Sequence, residues 1–141
     1  MQLQPYLNFN GRCEDALEFY KKALGAEVTM LMRFKESPEP PPPGAPTANG
    51  EKILHANVRI GSAEFMASDG HCTGKGTSFQ GFALSLTLPN ESKAKQAFNA
   101  LIEQGKIEMP LAKTFWSPCF GMVTDRFGVM WMTTVPAAAQ A

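Results

Sequence analysis

With 141 residues, 44% of them hydrophobic and 18% charged, the chain has enough apolar side chains for one globular domain with a sizeable core, which excludes a disordered polymer. Thirteen Lys and Arg balance thirteen Asp and Glu, so the net charge is zero and no electrostatic footprint for nucleic acid or an anionic membrane is expected. No apolar run nears the ~18 residues of a membrane span, and Met1-Gln2-Leu3-Gln4-Pro5 lacks the basic start and apolar middle of a secretory leader, so the expected location is the cytoplasm.

Leu3 to Phe9 alternates, with Leu3, Pro5, Leu7 and Phe9 on one face and Gln4, Tyr6 and Asn8 on the other. That period predicts a strand with one face on a core, and Asn10-Gly11 ends it. Glu14 to Leu24 is helical in pattern, with Ala16, Leu17, Tyr20, Ala23 and Leu24 in one apolar stripe. Glu14 and Asp15 near its start and Lys21 and Lys22 near its end complement the helix dipole. Glu18 and Lys22 are spaced for an ion pair, and Gly25 suits a left-handed cap. Glu27 to Phe34 resumes strand character. Residues 37–50 hold a proline run, which removes N–H donors and fixes φ, so a loop insertion between two strands is expected there. Ile53 to Ile60, the Gly61-Ser62 turn and Ala63 to Ser68 read as a hairpin. Asp69 to Gln80, rich in Gly, Ser and Thr, reads as a linker.

The order then repeats. Gly81 to Leu88 reads as a strand, and Asn90 as the N-cap of a helix whose stripe is Ala94, Ala97, Phe98, Leu101 and Ile102, closed by Gly105. Three strands follow, near Ile107 to Leu111, Thr114 to Thr124 with Pro118 interrupting it, and Val129 to Val135. The pattern predicts an α+β fold made of two βαβββ modules in one domain, residues 1–136. Module one covers 1–70 and includes the proline-rich loop, module two covers 80–136, and 137–141 is a frayed tail. Each helix covers one sheet face, so two such sheets facing one another would enclose a cleft.

Cys13, Cys72 and Cys119 are odd in number and widely spaced, which excludes a disulfide framework or a zinc knuckle. Each reads as a small apolar side chain, and Cys72 beside His71 would need a base within reach to act as a nucleophile.

Taken in order, several segments resemble one family. They are Pro5-Tyr6-Leu7, Ala16-Leu17-Glu18-Phe19-Tyr20 with Leu24-Gly25, His55-Ala56-Asn57-Val58-Arg59-Ile60 and Met66-Ala67-Ser68-Asp69. Gly105-Lys106-Ile107-Glu108-Met109, Thr114-Phe115-Trp116 through Phe120-Gly121, and Val123-Thr124-Asp125-Arg126-Phe127-Gly128-Val129 complete the set. The chain resembles the glyoxalase/bleomycin resistance/dioxygenase (vicinal oxygen chelate) superfamily, and within it the PhnB-like branch, also labelled 3-demethylubiquinone-9 3-methyltransferase-like. No glycine-rich strand–turn–helix for a nucleotide cofactor accompanies that label.

The resemblance implies four metal-ligand positions, His, Glu, His and Glu in metal-dependent members. They map to Tyr6 or its neighbours Gln4 and Asn8, to Met66, to Phe82 and to Met132. None is a histidine or carboxylate, so no inherited metal and no other cofactor is expected. The hairpin brings Asp69 toward His55, which allows a hydrogen-bonded pair, a metal-free acid/base pair, or, with His71, a rearranged metal site.

The leading expectation is a protein that binds a small organic ligand, with Tyr6, Asn8, Met66, Ser68, Phe82, Trp116 and Met132 as candidate contacts. The alternative is a lyase, isomerase or dioxygenase-type enzyme using His55 and Asp69 or a rearranged metal site. The resemblance also implies a homodimer.

Overall fold

A computed structural model describes residues 1–39, 50–70 and 77–137. Most of the proline-rich loop, His71, Cys72 and residues 138–141 of the tail lie outside the described residues. The chain divides into two compact units, Met1–Thr77 and Ser78–Ala141.

The first unit runs β1 (Tyr6–Asn8), α1 (Cys13–Leu24), β2 (Glu27–Arg33), a single 3₁₀ turn (Phe34–Glu36), β3 (Ile53–Ile60) and β4 (Ala63–Ser68). Its four strands lie in the order β1-β4-β3-β2, with β1 parallel to β4 and the other pairs antiparallel. The α1 stripe is buried at Cys13, Ala16, Leu17, Phe19 and Tyr20. It packs on the sheet face carrying Leu7, Ala56, Val58, Phe65 and Ala67, also buried, and Tyr20 meets Phe65 edge-on at 6.5 Å. Each Leu or Phe so buried is worth about 1.5–3 kcal/mol. Gly25 closes α1 at φ 67°, where its N–H reaches Lys21 O and the Ala26 N–H reaches Tyr20 O. Glu18 pairs with Lys21 at 2.8 Å, three residues on, rather than with Lys22. The start of α1 has no side-chain cap of its own, since Arg12 supplies none.

The second unit repeats the order as β5 (Leu84–Thr87), α2 (Glu91–Leu101), β6 (Lys106–Ala112), β7 (Phe120–Thr124) and β8 (Met130–Thr134). The sheet order is β5-β8-β7-β6, with β5 parallel to β8. Asn90 caps α2, its side chain accepting the Lys93 N–H at 2.9 Å. Ala94, Ala97, Phe98 and Leu101 of α2 are buried, and the helix packs on β7 and β8.

Three expectations are corrected in this unit. The strand expected over 81–88 begins only at Leu84: β5 pairs with β8 over Leu84–Thr87, and the Leu88 N–H adds a bond to Thr134 O at 2.8 Å. The strand expected from Thr114 begins at Phe120, because residues 114–119 form a turn stitched by side-chain hydroxyls. The left-handed residue after α2 is Gln104 (φ 59°), not Gly105. Gly105 is required for space, since a Cβ there would collide with the Thr124 carbonyl oxygen.

Both units match the twice-repeated βαβββ pattern, and the architecture is α+β with two mixed four-stranded sheets. Among the described residues no helix is long and apolar enough to cross a membrane.

Candidate functional site

The face of the first sheet away from α1 carries the alternate residues Tyr6, Asn8, His55, Asn57 and Met66. Register places Tyr6 beside Met66, Met66 beside Asn57, Asn57 beside Met30, and His55 beside Met32. Tyr6 is 47% exposed, so its ring is open to a ligand. Its hydroxyl lies 3.0 Å from His55 Nδ1, and the two rings are 5.5 Å apart. The other ring nitrogen, Nε2, lies 2.9 Å from Asn57 Oδ1. A neutral imidazole carries one N–H. With the Asn57 oxygen as acceptor, that N–H is on Nε2, and Nδ1 accepts the Tyr6 O–H. Three side chains on three strand positions thus form one polarised chain.

Asp69 does not join it. Its carboxylate is 1% exposed and turns toward the start of α1. Oδ1 accepts the N–H groups of Gly11 at 2.7 Å and Cys13 at 2.8 Å, and Oδ2 accepts that of Ile53 at 2.8 Å. This carboxylate supplies the cap that Arg12 lacks, and it pins the β1–α1 turn to the start of β3. The expected His55–Asp69 pair is therefore corrected: His55 bonds Tyr6 and Asn57, while the backbone takes up Asp69. Ser68 is corrected in the same sense. It is buried, its hydroxyl donating to Leu54 O at 2.8 Å and accepting the Gly70 N–H at 2.9 Å. Asn8 stays exposed, with Gly70 close by its side chain.

In the second unit Met132 is half-buried on β8, in register with Ser85 on β5 and Met122 on β7. Met122 is in turn beside Met109. Phe82 precedes β5, is 45% exposed and meets Phe79 edge-on at 6.4 Å. Trp116 sits on the 114–119 turn, stacked edge-on between Phe115 (4.7 Å) and Phe120 (5.3 Å). Ser117 anchors that turn, its hydroxyl donating to Val135 O at 2.7 Å. Asp125, also buried, accepts the N–H groups of Phe127 and Val129 on Oδ1 and the Trp131 indole N–H on Oδ2. It holds the β7–β8 turn, as its place in the Asp125-Arg126-Phe127-Gly128 turn implies.

The profile of the Glyoxalase/Bleomycin resistance protein/Dioxygenase superfamily matches residues 2–133. The chain belongs to this superfamily. Protein YjdN of Escherichia coli K12 is 41% identical over 141 residues, covering 96% of this chain and 95% of YjdN. The crystal structure of PA1353 from Pseudomonas aeruginosa superposes with a TM-score of 0.82 at 40% identity, over 96% of this chain and 98% of PA1353. The PhnB protein of Bacillus cereus gives a TM-score of 0.79 at 25% identity, over 96% and 99% of the two chains. Within the superfamily the chain is PhnB-like.

Within each unit, register pairs the strands that carry the metal-ligand positions implied by the resemblance. In the first, the parallel pair β1·β4 sets Tyr6 beside Met66. In the second, the parallel pair β5·β8 sets Ser85, not Phe82, beside Met132. At the positions the resemblance implies, Tyr6, Met66, Phe82 and Met132, stand a phenol, two thioethers and a phenyl ring. In neither unit is any of them an imidazole or carboxylate, the ligands a divalent first-row ion takes. Among the described residues no three His, Cys, Asp or Glu side chains group to hold a metal.

Proposed function

We propose that this PhnB-like protein binds a small organic molecule on the sheet face around Tyr6, and that the inherited metal positions take no part. The observation that carries the reading is the register of Tyr6 beside Met66 on the β1·β4 pair, a phenol and a thioether where the resemblance implies metal ligands. Thioethers and a phenol ring make an adaptable, largely apolar contact surface. Tyr6, His55 and Asn57 add a few fixed polar groups to orient a ligand. Asn8, exposed on the same unit, is a further proposed contact; within the second unit by itself Phe82, Trp116 and Met132 are candidate contacts, each with an exposed or half-buried side chain.

The same reading includes a homodimer in the cytoplasm. Its support is apolar surface on two edge strands, Met30 (39%) and Leu31 (37%) on β2 and Ile107 (47%) and Met109 (42%) on β6. An odd number of widely spaced cysteines suits a reducing compartment.

Methyl-labelled methionine spectra recorded against a library of small aromatic and aliphatic compounds test the binding reading. The expected result is a saturable shift at Met66. Binders that leave the Met66 methyl unmoved, but perturb other methionines, would overturn it.

A second reading, metal-free acid/base catalysis, is favoured by the doubly hydrogen-bonded His55 alone, since Asp69 is committed to the backbone.

A further inference from the structure

Only two histidines occur in the chain, and one of them, His55, stands half-buried on the sheet face away from α1 with both ring nitrogens engaged by side chains. Among the described residues, three buried polar side chains bond backbone groups. Asp69, Ser117 and Asp125 all hold turns together. The Tyr6–His55–Asn57 chain holds no turn. It runs across the sheet from an exposed phenol to an amide, which is the order of an outward group, a base and an orienting group.

We propose that Tyr6, His55 and Asn57 form a proton relay that ionises a weakly acidic aromatic hydroxyl compound, a phenol, bound on this face. The inference rests on the ligand-binding reading above and names its ligand class. The ligand O–H donates to the Tyr6 oxygen while the Tyr6 proton passes to His55 Nδ1. The ligand's proton then stays on Tyr6. The ligand is left as its phenolate and His55 as an imidazolium, its Nε2–H held on Asn57 Oδ1. One proton moves in and one is passed on, no bond other than O–H and N–H changes, and nothing is oxidised.

The surroundings select the aromatic ring. Met66 lies in register with Tyr6 and with Asn57, Met30 with Asn57, and Met32 with His55. Thioether sulfurs contact aromatic ring edges favourably. The charged groups on the neighbouring strands are already matched: Arg59 on β3 is in register with Glu64 on β4 and ion-paired to Glu27 on β2. Farther along β2, Arg33 is ion-paired to Glu14 of α1. The imidazolium formed would therefore find its counter-charge in the bound phenolate.

Asn57 is a positioning residue in this scheme, since it acts through His55. Tyr6 and His55 touch the ligand's proton path.

The test compares 4-nitrophenol, whose ionisation is visible in its absorbance, with 4-nitroanisole, which has the same ring and no O–H. His55 ring-nitrogen spectra and methionine methyl spectra are recorded with each. The wild-type chain is expected to bind nitrophenol as the coloured phenolate at a pH where it is protonated in free solution, with His55 turning doubly protonated in step. Tyr6→Phe keeps the ring and the methionine contacts. It is expected to bind nitroanisole as before, to leave His55 neutral, and to weaken nitrophenol by at least about tenfold. Asn57→Leu should give the same split, with unchanged amide spectra showing that the sheet is intact. Wild-type protein that binds both compounds alike, with His55 neutral, overturns the relay and leaves the binding face standing. Wild-type protein that binds neither also overturns the relay, and the methionine map against the wider library then decides the binding reading separately.

Discussion

Asp69 and Ile53 are locked to each other twice: Asp69 Oδ2 accepts the Ile53 backbone N–H at 2.8 Å, and the Asp69 backbone N–H donates to the Ile53 carbonyl at 2.9 Å. With Oδ1 holding Gly11 and Cys13, one carboxylate closes the end of β4, the start of β3 and the first turn of α1. Its stabilising role follows from burial, because each N–H it accepts would otherwise be an unmet donor in the interior.

Asp69→Asn is accordingly a stability variant. An amide offers one acceptor oxygen and turns its NH₂ toward a backbone donor, so a loss of about 2–4 kcal/mol is expected. Urea unfolding followed by circular dichroism measures it. An unchanged midpoint would show that the carboxylate does not carry this junction.

Much of this geometry was legible in the chain, and the exceptions have physical causes. Ile53–Ile60 and Ala63–Ser68 were found with their true limits, because alternation and a two-residue Gly-Ser turn mark both ends. Gly81-Phe82-Ala83 is as apolar as the strand that follows. Nothing local says that β5 begins at Leu84. The His55–Asn57 hydrogen bond follows from a two-residue spacing that puts both on one strand face. The long reach of Asp69, 56 residues back to Cys13, carries no sequence signal at all.

Gly121 is kept by packing. A Cβ there would lie 2.7 Å from Phe98 Cε2 and 2.9 Å from Leu111 Cδ2. Phe98 is a buried ring on α2 and cannot swing aside freely. Gly121→Ala is expected to cost about 1–3 kcal/mol, read as a lowered thermal midpoint. A Phe98→Leu partner change should recover part of the loss.

Thr133 is fully buried on β8, and its hydroxyl has no hydrogen-bond partner among the described residues. Valine has the same shape without the hydroxyl. Thr133→Val is expected to raise stability by roughly 1 kcal/mol, since removing an unmet polar group from the interior relieves its desolvation cost. A lower midpoint in chemical denaturation would argue that the hydroxyl is satisfied in solution.

The Glu51 carboxylate is held below the ordinary carboxylate range by the Lys35 hydrogen bond at 2.7 Å, then by the Lys35 charge, with Arg33 adding a smaller attraction. A lowered native value contributes stability above the unfolded value, which is lost as pH falls through the native one. The pair is exposed, so the effect is small and salt screens it. Glu51→Gln should lower the denaturation midpoint slightly near neutral pH in low salt. The difference should vanish in high salt and again once the pH falls below the native carboxylate value. A difference that persists in acid would assign the effect to packing.

The most direct test of ligand binding without the inherited metal is a binding isotherm for one compound that shifts the Met66 methyl. It is measured on protein as purified, after exhaustive chelation, and after adding back nickel, zinc, manganese or iron(II). The expected result is one affinity in all three states, with Met66 shifting to the same endpoint. Loss of binding on chelation, restored by one equivalent of a metal, would contradict the account.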